Sequence, residues 1–470
     1  MLFSSSLFIF FFLPAVIFCY YVLFRKNRVL QNIFLLIASL IFYAWGEPKF
    51  VFIMIMTIMV SWFFGLMVDK FRGQKKAVRI ILILDTCYNL GILFIFKYLM
   101  FSLHNINSIF GLSIDVPSIA LPIGISFFTF HAFSYVLDIH RGVAKVQKNP
   151  MYVGLYISLF PQLVAGPIVR YETIADEIKY RKETLDDFTS GVTRFMTGYM
   201  KKVLLANTMA IIANNAFDSK GTISVGLAWL GVLAYAFQIY FDFSGYSDMA
   251  LGMGKMFGFH FLENFNFPYI SKSISEFWRR WHISLGTWFR IYVYFPLGGS
   301  RVKSKRRLVF NLFAVWFLTG IWHGANWTFI LWGLMYFVLI TIEKLTDFEK
   351  KFKKSGWAKY IYTMMFVLFG WVLFRAKDLT AAVEYFKAMF GLAGNALIDD
   401  AFIFNLSQNI VFLVCAAVFS LPAAKFIREK IGDRFKITDI VYVTGMIALF
   451  IVAVSYTVKG SYNPFIYFNF

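Results

Sequence analysis

Six histidines are scattered through a chain that is otherwise mostly apolar. They are the side chains best suited to move a proton near neutral pH. His323 stands in Gly320-Ile321-Trp322-His323-Gly324-Ala325-Asn326-Trp327, at the junction of two short apolar runs. Gly320, Gly324 and Ala325 leave room beside the imidazole, while Trp322 and Trp327 wall it. An imidazole kept from bulk water in this way can take a proton from a hydroxyl group. The alternative is a histidine that caps a tight helical hairpin.

His282 lies in Phe277-Trp278-Arg279-Arg280-Trp281-His282-Ile283-Ser284-Leu285, which combines aromatic and basic residues. Arg279 and Arg280 could hold phosphate groups, because a guanidinium fork donates two parallel hydrogen bonds. Equally, the two arginines could reach lipid headgroups while His282 merely packs. Asp242 and Asp248 end an apolar run and must pair or face water; Arg279, Arg280 and Arg290 are the candidate partners of a structural ion pair. Of the other histidines, His131 lies inside an apolar run and reads as a packed residue, His260 is open to either reading, His104 reads as a solvated loop residue and His140 as an interfacial anchor. Cys19, Cys87 and Cys415 lie apart, with neither CxxC nor Cys/His spacing, so no disulfide framework and no metal site is expected.

The elements that position these groups follow from composition. Of the 470 residues, 59% are hydrophobic, 20% aromatic and only 15% charged. Soluble domains carry roughly 45–50% apolar and about 25% charged residues, so both a soluble globule and a disordered chain are excluded. Apolar stretches near 6–24, 29–45, 50–68, 80–100, 119–138, 190–216, 224–245, 308–322, 326–343, 358–375, 402–422 and 437–457 read as about 11–12 transmembrane helices of an all-α polytopic protein. The first run is followed by Arg25, Lys26 and Arg28 and reads as a span whose start lies outside rather than as a cleaved signal. Alternate gaps then hold the basic clusters: Lys70 to Arg79, Arg301 to Arg307, Lys350 to Lys354 and Lys425 to Lys436. The opposite gaps hold only Lys49, Lys220, Lys377, Lys387 and Lys459. Positive charge collects on the inner side of membrane proteins, so both termini are expected outside. The net charge of +20 is therefore an orienting charge, and no nucleic-acid partner is expected.

Two inner gaps are too apolar for ordinary loops. Residues 151–169 contain Pro161, Gly166 and Pro167; residues 257–299 mix aromatic positions with Arg279, Arg280, His282 and Arg290. Broken backbone at membrane depth persists only where protein buries it or water lines it. Both segments are expected to be re-entrant or interfacial elements around a central cavity, within a single membrane domain spanning 1–470.

The stretches Leu121 to Phe130, Phe160 to Pro167, Tyr240 to Met249, Asn264 to Tyr269, Phe277 to Leu285, Gly320 to Trp327 and Phe465 to Phe470 together carry a resemblance. The chain resembles the membrane-bound O-acyltransferase family, and within it the bacterial alginate O-acetyltransferase branch. That resemblance implies a ring of helices around a thin centre, with a cytosolic tunnel for the acyl donor. It implies His323 as the catalytic residue and His282 as the second family position. It further implies acetyl-CoA as donor substrate with no permanently bound cofactor, an exported polysaccharide as acceptor, an extracytoplasmic esterase-fold partner, and residence in the cytoplasmic membrane. Two alternatives stand beside it. A polysaccharide or lipid transporter would use the same cavity without a reactive histidine, and a long-chain lipid or protein acyltransferase would need a wider donor tunnel.

Overall fold

The computed structural model describes residues 1–348, 356–423, 436–460 and 466. The basic clusters Lys350 to Lys354 and Lys425 to Arg434 lie outside the described residues, as does the closing stretch Phe465 to Phe470 apart from Ile466. Each of the twelve apolar stretches carries a helix, and no strand occurs among the described residues. Seven described helices are long and apolar enough to cross a membrane, with shorter apolar helices at Phe8–Leu23 and Arg28–Ala44. The protein is an all-α, multi-pass membrane protein. Its chain divides into two compact units: Met1–Phe195 with Ser247–Leu262, and Met196–Tyr246 with Glu263–Phe470.

In the first unit, the helix Ile125–Arg141 is enclosed along most of its length, with fourteen of its 17 residues buried. It begins later than its apolar run because Gly124 takes a left-handed φ of 74°, which ends the preceding extended stretch. A side chain there would also collide with the Leu163 carbonyl, 2.9 Å from the position of a Cβ. The 151–169 segment is broken as its prolines require: helix Pro150–Ser158 stops, Leu159 is extended (ψ 114°), and a single turn follows at Phe160–Leu163. Every residue from Val153 to Val169 is buried. The freed backbone groups find side-chain partners: the Phe160 amide donates to Ser39 Oγ at 3.1 Å, and Tyr156 Oη donates to the Val169 carbonyl at 2.9 Å. Protein thus takes the place of water at this break.

In the second unit, helices Lys305–His323 and Trp327–Leu345 form a hairpin. Backbones approach where glycines face carbonyls: a Cβ on Gly320 would lie 2.6 Å from the Phe329 oxygen, and one on Gly333 would lie 2.6 Å from the Trp316 oxygen. Small residues permit this close helix contact, which gains dispersion energy where lipid offers no hydrophobic drive. The turn is fixed by Asn326, whose Oδ1 accepts from the Thr328 amide at 3.1 Å and whose Nδ2 donates to the Lys377 carbonyl at 2.8 Å. The 257–299 segment contributes two short helices to this unit, Ile274–Arg280 and Ile283–Phe289.

Candidate active site

His323 ends its helix, buried in an aromatic box. Ring centroids of Trp322, Trp332 and Phe374 lie 4.9, 4.9 and 5.1 Å from the imidazole. The Phe329 ring fills the space at Gly324, where a Cβ would sit 2.3 Å from a ring carbon. Trp327 is half exposed (50%).

His282 follows Trp281 in the two-residue link between the short helices, and it adopts a left-handed φ of 46°, unusual for a side-chain-bearing residue. Such a conformation persists only when its surroundings over-determine it. Asn264 supplies that determination. Its Oδ1 accepts from the Ser284 amide at 3.2 Å and from Ser284 Oγ at 2.9 Å, and lies 3.1 Å from His282 Nδ1. Because the backbone amide must donate, this Asn264 atom is the oxygen, and His282 Nδ1 is therefore the protonated nitrogen. Nε2 keeps its lone pair, buried and without a hydrogen-bond partner among the described residues. The Ile283 amide donates to the Asn264 carbonyl at 2.9 Å, tying the same two segments again.

Trp322 links the two histidines. Its ring lies 6.2 Å from that of His282 and 4.9 Å from that of His323. His282 also faces a cavity of about 440 Å³, together with Trp278, Arg279, Arg290, Thr319 and Lys344. No described residue lining it is acidic, so the three cations Arg279, Arg290 and Lys344 share one space with the His282 side chain. Such a site suits a multiply anionic group. Lys344 is steered toward it by Tyr294, to whose Oη it donates at 3.2 Å. Helix Ile274–Arg280 is anchored by Glu343 of the hairpin: its buried carboxylate accepts from the Ile274 amide at 2.7 Å and the Ser275 amide at 2.8 Å. A carboxylate at a helix N-terminus satisfies orphan donors and meets the positive end of the dipole.

The expected site residues therefore separate. His282 and Arg279 share the cavity, and His323 lies behind Trp322. Arg280 turns away: it pairs with Glu276 at 2.9 Å and donates to the Asn266 carbonyl at 3.1 Å. The partners expected for the aspartates are corrected. Asp242 pairs with Lys202 at 2.7 Å in the second unit, and Asp248 with Arg194 at 2.7 Å in the first. The physical reason is helix register. The helix Val225–Met256 runs against the preceding one at glycines: Gly252 meets the Gly191 carbonyl in the first unit, and Gly245 meets the Gly198 carbonyl in the second, which sets each carboxylate opposite a cation. In the first unit His131 is fully buried and packs at 5.7 Å from the Tyr156 ring. His260 is an exposed ion-pair residue, 2.8 Å from Glu177 and 3.4 Å from Asp187. Partial burial works against its charge, but hydrogen bonds and attraction from these two carboxylates prevail and raise its pKa. Asn264, Arg290, Glu343 and Lys344 were not singled out as site residues from the sequence.

Phe374 of the His323 box is followed directly by Arg375, Ala376 and Lys377, which line a second cavity of about 810 Å³. Lys220 and Lys387 also line it, so it gathers three of the few lysines assigned to the outer gaps.

Comparison with known proteins matches residues 143–379 to the family model described as membrane-bound O-acyltransferase. The probable alginate O-acetylase of Pseudomonas putida is 38% identical over 490 residues, covering all of both chains. The peptidoglycan O-acetyltransferase of Helicobacter pylori is 32% identical, covering all of this chain and 98% of the relative. The teichoic acid D-alanyltransferase of Bacillus subtilis is 34% identical over 54% of this chain and 69% of its own length. The matched stretch holds His282, His323, the lining of the first cavity and Lys220, Arg375 and Lys377 of the second, and a transporter is no longer the competing reading. The chain belongs to the membrane-bound O-acyltransferase family, and it is an acyl-transferring enzyme of the membrane.

Proposed function

We propose that this enzyme moves an acetyl group from acetyl-CoA on the cytosolic side of the cytoplasmic membrane toward hydroxyls of an exported cell-envelope polysaccharide. An extracytoplasmic partner of esterase fold hands the group on to the sugar. The observation that carries the reading is the arrangement of the two histidines around Trp322: His282 faces a cationic cavity, and His323 lies between that cavity's wall and a residue leading to the outer one.

Arg279, Arg290 and Lys344 bind the phosphates of the donor and leave its thioester to reach past Thr319. His282 Nε2, held in its tautomer by Asn264, accepts a hydrogen bond on the donor side. His323 takes the proton of the acceptor hydroxyl as its oxygen attacks the thioester carbonyl. The C–S bond breaks, the new ester C–O bond forms, and the imidazolium returns its proton to the coenzyme A thiolate. The outer cavity, with Lys220, Lys377 and Lys387, receives the acceptor or its carrier. Two relatives named for O-acetylation of alginate and peptidoglycan support acetyl as the group and a polysaccharide as its destination.

The test is His323→Ala in membranes of producing cells supplied with labelled acetyl-CoA. Acetyl transfer is expected to fall by about 100-fold or more, the usual contribution of a general base, with an unchanged gel-filtration profile of the purified variant. Wild-type transfer by a monodisperse variant overturns the assignment. Palmitoyl-CoA in place of acetyl-CoA checks the donor: equal or better turnover overturns the acetyl reading and leaves a long-chain acyltransferase.

A further inference from the structure

A third cavity lies in the first unit, away from the chemistry described above. Three helices converge on it: Val51–Lys70, Lys75–Leu93 and Ile125–Arg141. It measures about 270 Å³, and Arg72, Lys75, Arg79 and His140 line its polar side. Its other side is formed by Val68 and Val78, both buried, with Leu82. We propose that this cavity binds the phosphate headgroup of an anionic membrane phospholipid.

Charge is the first argument. None of the described residues lining the cavity is acidic. The nearest carboxylate of the same turn, Asp69, is engaged with Arg72 at 3.2 Å. Asp138, at the end of Ile125–Arg141, is taken by the Glu172 amide at 3.1 Å and by Arg141 at 3.7 Å. Lys75 and Arg79 form no ion pair among the described residues. They stand four residues apart on one helix, an arrangement in which like charges repel. The first turn of that helix carries no acid, and its N-cap, Gln74, makes no side-chain cap hydrogen bond. Lys75 and Arg79 therefore bring uncompensated positive charge to a concave surface that Arg72, paired with Asp69, also lines.

Geometry is the second argument. Arg72 is not a free surface side chain: its Nη2 donates to the Ile139 carbonyl at 3.0 Å, which fixes the guanidinium at the end of the neighbouring helix. Its remaining N–H groups can meet phosphate oxygens at little further entropic cost. Position is the third. The charge asymmetry places this turn on the inner membrane surface, where anionic lipids attract basic residues. Ile80, Ile83 and Leu84, on the same helix as Lys75 and Arg79, are more than half exposed, at 58%, 52% and 52%. They offer an apolar track for acyl chains leading away from the cationic pocket. A phosphate diester tethered to two acyl chains matches both halves of the surface, whereas a soluble phosphate matches only one.

The experiment uses the full-length protein purified in mild detergent, with retained lipid counted by native mass spectrometry. Phosphatidylglycerol is expected to stay bound one per chain and to raise the thermal unfolding midpoint, while phosphatidylcholine does neither. The double variant Lys75→Gln/Arg79→Gln should bind phosphatidylglycerol roughly tenfold or more weakly, since each cation near the lipid surface contributes to the attraction. Lys303→Gln/Lys305→Gln, which removes the same charge from another inner cluster, should retain it. Equal retention of both lipids, or equal loss in the two double variants, overturns the proposal in favour of diffuse surface charge. Protection by millimolar inorganic phosphate equal to that by phosphatidylglycerol overturns the lipid assignment. Acyl transfer is read separately and is not needed for any of these outcomes.

Discussion

Arg279 and Arg280 are neighbours in sequence and opposites in role. Successive residues of a helix point about 100° apart, so only one of the pair can face the cavity, and that one is Arg279. Arg280 spends its donors on Glu276 and the Asn266 carbonyl. Arg279→Ala should therefore raise the donor KM at least about tenfold, the loss of one charge-assisted phosphate contact. Arg280→Ala should leave KM within about twofold and cost at most about 1 kcal/mol of stability, the usual worth of a partly exposed i,i+4 pair. Steady-state kinetics with varied acetyl-CoA distinguishes them, and equal effects would contradict the geometry. The residue types at this site were legible in the sequence: histidine and arginine among aromatics announce chemistry at membrane depth. Which arginine faces inward was not, because the helix has only 7 residues, its start held by the distant Glu343 and its last carbonyl, that of Arg280, by the Asn266 amide.

At the scale of elements, the second unit relies on tight joints at glycines and on buried carboxylates that close helix ends. Glu343 is the clearest case, because two backbone amides of helix Ile274–Arg280 depend on it. Glu343→Ala leaves buried N–H groups without acceptors, which costs about 1–3 kcal/mol. The same change frees the helix that carries Trp278 and Arg279. It should lower the unfolding midpoint and raise the donor KM together, whereas Glu343→Gln, which keeps one acceptor oxygen, should recover part of both. A change in midpoint without any change in KM would show that the helix is held in place by packing alone. The twelve apolar stretches were readable because a membrane span needs continuous apolar sequence. The starts of elements were less so: the helix expected from 119 begins at Ile125, where Pro122 and left-handed Gly124 release the chain. The ion pairs of Asp242 and Asp248 were hidden for a related reason. Helix register is set by glycine-to-carbonyl approaches, which no local pattern records.

For the whole molecule, orientation decides which cavity meets which substrate. The charge asymmetry predicts Lys303 and Lys305 inside, and Lys220, Lys377 and Lys387 outside. In that predicted orientation the cavity lined by Arg279, Arg290 and Lys344 belongs to the unit whose basic stretch at 301–307, a loop running into a helix start, would face the cytosol, the compartment that holds coenzyme A thioesters. The opposite orientation would present the same cations to the outside, where no such donor exists, and the proposed direction of transfer would fail with it. Ser113 and Ser304 report on this cleanly, since both are exposed and neither lies in a helix. In a background with Cys19, Cys87 and Cys415 replaced by serine or alanine, an impermeant maleimide added to intact cells should modify Ser113→Cys. It should leave Ser304→Cys unmodified until the membrane is opened. Labelling of both positions in intact cells would mean that the 300–307 turn is reached from outside. Labelling of Ser304→Cys alone would invert the chain, and would move the proposed lipid pocket at Lys75 and Arg79 to the outer surface as well.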